Sequence, residues 1–449
     1  MRIPRRYALA VLLLLVAVAA LGVLRPPPAA AFAVVEEIKT PKGFTVWYVR
    51  EPSIPVISMS LYFKGGSALD PAGKEGLARL AAALFDEGAG DMDSQAFQGA
   101  IINKAIDLDF NATRDAIEVD LRTLSQNRDT AFRLLGLALN EPRFDADAVE
   151  RVRAQFLHII RDGKNDPETR SSEAWYHAAF GAHPYGTPTR GTEESMAAIA
   201  AADLKAFAKA RIARDNVVIG VAGDVQSSDI ARLVDVALGS LPEHATPAAL
   251  PAAALPTSSL VRIEQLAVPQ SVVTFGMPGL MRDDPDFYIA YVMNYILGGG
   301  AFTSRLYQEV REKRGLAYSV YTYLAPLEAA ALYMGGVATQ NNRVAESIAI
   351  IRQEIGRLAE EGVTEEELAA AKRHLTGAFP LRFDSGAGIA SMLVSMQVYH
   401  LGIDYFDKRN AYIEAVTLDD VARVAKRLLD PDKLVVVVAG DPVGLEATP

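Results

Sequence analysis

The sequence predicts an α+β fold of two tandem homologous domains, each a mostly antiparallel sheet with helices packed on one face. Three observations carry that expectation: an internal repeat, a linker between its copies, and short strand patterns interleaved with long amphipathic helices. The segment AADLKAFAK at 201–209 recurs as LDDVARVAK at 418–426, and NVVIGVAGD at 216–224 recurs as KLVVVVAGD at 433–441, both at an offset of 217 without a gap. Each copy reads as an amphipathic helix followed by a buried strand, so the two copies close two halves of similar size.

Taken in order, the chain opens on residues 1–33, where Arg2, Arg5 and Arg6 precede an apolar run over 8–24 and an A-x-A site at Ala31, Phe32 and Ala33. That layout is a cleavable signal peptide. An uncleaved N-terminal anchor is the alternative, because 17 apolar residues approach the roughly 17–25 that span a bilayer. Either way the body is expected to be exported: periplasmic, or tethered to the inner membrane. The first domain is read over 34–243, with strands at 45–49 and 56–63. Residues 244–257, rich in Ala and Pro, form an extended linker. The second domain, 258–449, has strands at 271–275, 318–324 and 331–338 and helices at 343–361 and 365–376.

Composition narrows the chemistry. The 449 residues contain no cysteine, which removes disulfides, thiolate metal sites and cysteine nucleophiles, and only six histidines are available as metal ligands. The formal charge is −10; without the four arginines of the leader it becomes 45 − 4 − 55 = −14, which argues against a nucleic-acid or anionic-membrane surface.

The most distinctive stretch is ILGGGAFTSRLYQEVREKRGLAYSVY at 296–321. Gly298, Gly299 and Gly300 are expected to release a helix into a flexible segment, Ser304 to cap the next helix, and Gly315 to end it before a strand. Arg311 and Tyr318 then meet at a helix–strand junction, where a guanidinium and a phenol suit a peptide carbonyl or carboxylate. On spacing alone, Arg311 complementing the helix dipole and Tyr318 as a half-buried strand aromatic is the plainer reading. The glycine triplet lacks the Gly-Lys-Ser/Thr of a phosphate loop, and Asp384-Ser385-Gly386 lacks the leading glycine of a serine nucleophile elbow. The acidic run 360–367 reads as a solvated helix end.

Together, Gly65-Gly66-Ser67, PAGKEGLA at 71–78, His183-Pro184-Tyr185-Gly186 with Gly191-Thr192, the paired Ala-Gly-Asp strands and the 304–321 block resemble the insulinase/pitrilysin-type zinc peptidases, which include the mitochondrial processing peptidase. The resemblance implies that Arg311 and Tyr318 reach from the second half, or from a partner subunit, toward substrate at a zinc. It also exposes a departure. Where the family carries His-x-x-Glu-His, this chain reads Arg79-Leu80-Ala81-Ala82-Ala83, so Arg79, Ala82 and Ala83 stand at the ligand and base positions. The third family ligand, a glutamate, falls at His158 or Ile159. No pair among His158, His177, His183, His244, His374 and His400 has metal-binding spacing. His158 is expected as a satisfied core histidine, His183 as shaping a loop, and His400 with Asp404 as a solvent-exposed pair.

The resemblance therefore implies a zinc-less partner subunit of an exported heteromeric metallopeptidase. This chain binds no cofactor in that expectation. A homologous subunit bearing His-x-x-Glu-His carries the zinc, and peptides are the substrates. A structural or peptide-binding module of the same fold is the alternative.

Overall fold

The computed structural model describes residues 33–448, so the leader, apart from Ala33, lies outside the described residues. In the first half, β1 (Val35–Lys39), β2 (Thr45–Arg50), β3 (Val56–Lys64), a small ribbon of β4 (Gly88–Ala89) and β5 (Met92–Asp93), β6 (Asp107–Ala112), β7 (Ala116–Leu124) and β8 (Val217–Gly223) follow one another. The main strands form a sheet in the order β1-β2-β8-β3-β7-β6, antiparallel except for the β2–β8 pair. The second half supplies β9 (Leu260–Gln265), β10 (Gln270–Pro278), β11 (Ala317–Pro326), β12 (Ala331–Gln340) and β13 (Val435–Gly440), ordered β11-β12-β10-β13-β9, with β13–β9 the parallel pair.

Reading β6-β7-β3-β8-β2 against β11-β12-β10-β13-β9 gives one topology twice. The helices closing the halves, Ala201–Arg211 and Leu418–Leu428, are offset by 217 at both ends, as the repeat requires. The extra strand β1 distinguishes the first copy.

Helices pack on a face of each sheet as expected, and the opposite face is covered as well. Every residue of β13 is buried, without the alternation of a one-sided strand, and such unbroken apolar runs belong to strands covered on both faces. The second cover comes from the opposite half. Helix Pro167–Phe180 of the first half lies on β13 and β10, whereas helix Gly386–Val398 of the second half lies on β8 and β3. Shifting 167–180 by 217 gives 384–397, so the exchanged helices are themselves repeat equivalents.

Small residues make the exchange possible. A Cβ at Gly276 in β10 would lie 2.6 Å from the ring of Trp175, and one at Gly220 in β8 would lie 2.3 Å from the carbonyl of Ala390. Trp175 is fully buried, and its indole Nε1 donates to the Val435 carbonyl at 3.1 Å. Gln397 Nε2 donates to the Ile219 carbonyl at 2.9 Å in the reciprocal contact. Each half thus has its own core, and two further apolar clusters join the halves, one around Trp175, Phe180 and Tyr185, the other around Leu393, Met396 and Phe406.

Between Leu238 and Leu260 the chain forms no helix or strand, but it is pinned along its length. Thr246 N donates to the Ala210 carbonyl at 2.9 Å, Ala253 N to that of Ala329 at 3.3 Å, and His183 Nε2 lies 3.0 Å from the Pro251 carbonyl oxygen.

Candidate functional site

The positions where the resemblance places a metal lie on the short helix Leu77–Ala82. Its N-terminus is held by the Asp70 carboxylate, which accepts from Gly76 N at 2.9 Å and Ala78 N at 3.0 Å. Arg79 then directs Nη1 at Asn111 Oδ1 on β6, 3.3 Å away, and Asn111 Nδ2 in turn donates to Glu118 Oε2 on β7 at 3.5 Å. Burial, with the neighbouring Arg190 and Arg114, holds the Arg79 pKa below its ordinary value, and burial raises that of Glu118. The Arg79 Nε is buried without a partner. Ala82, 2% exposed, and Ala83 present only methyl groups.

The third position fares no better. Helix Ala146–Gly163 turns Val149, Val152 and Arg153 inward, which leaves His158 and Ile159 on its outer side. His158 is therefore not a core histidine as expected: its side chain is 75% exposed, with Nε2 3.3 Å from Asp162 Oδ2. A zinc site requires three or four convergent histidine, carboxylate or thiolate ligands. A guanidinium, two methyl groups and two outward side chains do not fit one, and among the described residues no cluster of three or more such ligands converges.

The second half brings Arg311 and Tyr318 together through two irregularities. Residues Tyr307–Glu312 wind as a π-helix, with Lys313 N donating to the Gln308 carbonyl at 3.0 Å, rather than as the expected regular helix. Where β11 begins, its register against β12 shifts between Ala317 and Val320, which turns Tyr318 outward to 81% exposure. Single-turn π segments and β-bulges both re-aim side chains and recur at functional sites. The Arg311 guanidinium sits 4.7 Å from the Tyr318 ring centroid, 4.8 Å from that of Tyr307 and 5.8 Å from that of Phe302. The carboxylate beside it is Glu312, with Oε1 3.9 Å from Nε. Arg311 is thus held by aromatic faces, and its N–H groups remain available to a ligand.

The glycine triplet is not the flexible segment expected. Gly298 and Gly299 belong to a second π-helical turn, Tyr295–Gly299, and Gly300 N donates to the Tyr295 carbonyl at 2.8 Å. A Cβ on Gly298 would lie 2.4 Å from Thr322 Oγ1, so that glycine is there for close packing against β11. Sequence reasoning missed Phe302, Tyr307, Tyr321 and Tyr323. The last two alternate along the exposed side of β11, a period-two signal that was readable, whereas the bulge puts Tyr318 out of phase.

The remaining expectations divide. His183 shapes its loop, with Nδ1 accepting from Tyr185 N at 3.1 Å. Asp404 pairs with Lys408 at 2.5 Å rather than with His400. Ser385 accepts from Gly388 N at 3.2 Å as a helix cap. The acidic run 360–367 is not all solvated, because Glu367 takes a bidentate ion pair from Arg305 at 2.6 and 2.7 Å.

Two copies of one sheet topology, each covered by a helix from the other half, define a duplicated α+β scaffold. Residues 45–193 match the family model of Insulinase (Peptidase family M16), and residues 198–375 match that of the Peptidase M16 inactive domain. A solved structure of a peptidase M16 inactive domain from Pseudomonas fluorescens is 30% identical, covers 92% of this chain and all of its own, and superposes with a TM-score of 0.86. The chain belongs to the M16 insulinase family. It is 28% identical, over 80% of its length and 82% of the other, to a Helicobacter pylori protein named non-peptidase homolog YmxG. It is 23% identical, over 90% and 88%, to the mitochondrial-processing peptidase subunit beta of Blastocladiella emersonii.

Proposed function

We propose that this chain is the zinc-less partner subunit of an exported heteromeric metallopeptidase. A homologous subunit bearing His-x-x-Glu-His carries the metal and the base, while this chain supplies Arg311 and Tyr318 to bound peptide. The observation that carries the reading is the arginine pair of states across the molecule: Arg79 fills a ligand position and is committed to Asn111, whereas Arg311 stacks on Tyr318 at an exposed surface. In that role the guanidinium and phenol orient the peptide and donate to oxygen as negative charge develops, and the Gly298–Gly300 backbone keeps the junction in place.

The test is purification from the native host with metal analysis. The expected result is co-elution with a motif-bearing homologue and zinc retained by that partner alone. One tightly held zinc in the isolated chain would overturn the proposal. A second reading, a structural or peptide-binding module with no part in hydrolysis, is favoured by the similarity to the Helicobacter pylori non-peptidase homolog. Stable assembly without peptidase activity would support it.

A further inference from the structure

A separate cavity of 410 Å³ lies in the second half, between helix Phe287–Asn294, the end of β11 and the exchanged helix Gly386–Val398. That volume is within the range of small-molecule sites. Its position is the repeat counterpart of the vacated metal region, since helix Phe287–Asn294 follows β10 as helix Leu77–Ala82 follows β3. Its walls are mainly aromatic, methionine and leucine side chains, with Asn294 and Ser395 as neutral polar groups, and none of its lining residues is acidic.

Two guanidiniums face this cavity. Arg409 is only 5% exposed; its guanidinium carbon lies 4.3 Å from the Phe379 ring centroid and 5.8 Å from that of Tyr291, and Nη1 donates to the Leu375 carbonyl at 3.0 Å and to Asn410 Oδ1 at 2.9 Å. Arg282 lies 4.2 Å from the Phe287 centroid and 4.9 Å from that of Tyr288, and Nη2 donates to Tyr288 Oη at 2.8 Å and Tyr405 Oη at 3.5 Å. Among the described residues neither arginine has a carboxylate within 4.0 Å. A third, the exposed Arg382, lines the mouth.

Buried charges in proteins are ordinarily paired, because leaving water without a counter-charge is costly. Here aromatic faces and neutral oxygens compensate the cations only in part. The complementary ligand carries a carboxylate, for bidentate pairing with guanidinium, on an aromatic or aliphatic body that fits the apolar walls. We infer that this cavity binds a small apolar carboxylate, with Arg282 and Arg409 as the anion-binding pair. Two sources share that chemistry, a free aryl-alkyl acid and the C-terminus of a peptide ending in an aromatic residue. The inference does not rest on the partner-subunit reading.

Calorimetry on the purified chain alone tests it, with 3-phenylpropionate as the probe and 3-phenylpropanamide as its neutral control. The acid is expected to bind saturably, one molecule per chain, with the amide weaker by about tenfold or more. Arg282→Gln is expected to weaken the acid by a similar factor while the melting temperature of the unliganded chain stays the same or rises, as expected when an unpaired charge is removed. Arg409→Gln serves as the second variant. A phenylalanine-terminated peptide, with free or amidated C-terminus, separates the sources: tighter binding of the free-terminus peptide assigns the site to peptides, and binding of the acid alone assigns it to free carboxylates. Equal binding of acid and amide, or no saturable binding of the acid at roughly millimolar concentration, would overturn the inference.

Discussion

Arg311 and Arg79 show how one residue type takes opposite parts. Arg79 is partly desolvated, among other arginines, and turns Nη1 to Asn111; Arg311 keeps its donors and rests on aromatic faces. Replacing Arg311 by Lys preserves charge but loses the planar fork, so it is expected to rescue little of the activity lost in Arg311→Ala when the reconstituted pair is assayed. Tyr318→Phe retains the stacking and removes only the hydroxyl, so its loss of kcat/KM is expected to be smaller than that of Tyr318→Ala. A separate residue-scale prediction concerns Asp70. Burial outweighs its backbone N–H bonds and pushes its pKa up to about 7, and Asp86 is pushed up to about 6, also by burial. Between the unfolded value near pH 4 and these raised values the folded chain holds more protons than the unfolded one, so stability falls as pH rises and levels off above about 7. Melting temperature measured from pH 4.5 to 7.5 is expected to drop in the native protein and to drop less in Asp70→Asn.

At the level of elements, the exchanged helices are the main structural commitment. Trp175→Ala removes the largest fully buried side chain among the described residues and an indole hydrogen bond, and is expected to cost about 3–5 kcal/mol in denaturant unfolding. Gly220→Val and Gly276→Val force a side chain into contacts already below van der Waals distance, with an expected cost of about 1–3 kcal/mol or more. The repeat was legible in the sequence because an identical offset in a helix and a strand fixes both at once. The exchange was not, since hydrophobic patterning reports that a face is buried and not by which helix. One clue was present: the unbroken run over 435–439 cannot belong to a one-sided strand. The π-helical turn and the bulge at Tyr318 were illegible for another reason. Their side-chain spacing differs from regular helix and strand by one residue, and no composition marks the insertion. His158 lies in an apolar stretch of a helix, but local apolarity does not say which face is inward, and the structure turns residues 158 and 159 outward.

For the whole molecule, reciprocal cover means that neither half has a complete second layer alone. Fragments 34–243 and 258–449 expressed separately are expected to be insoluble or loosely folded, and to recover native circular dichroism and a single melting transition when expressed together. Independent cooperative melting of each fragment would contradict that account of the fold. The same cover joins the half that carries the Arg311–Tyr318 junction to the half that carries Arg79 through two apolar clusters. The most direct measurement is therefore peptide hydrolysis by the reconstituted pair of this chain and a His-x-x-Glu-His-bearing homologue, with native protein and with Arg311→Ala. The account predicts no turnover by this chain alone, turnover by the pair, and a loss in kcat/KM of about a hundred- to a thousandfold for Arg311→Ala in a complex that stays assembled. Unchanged turnover by the intact Arg311→Ala complex would contradict it.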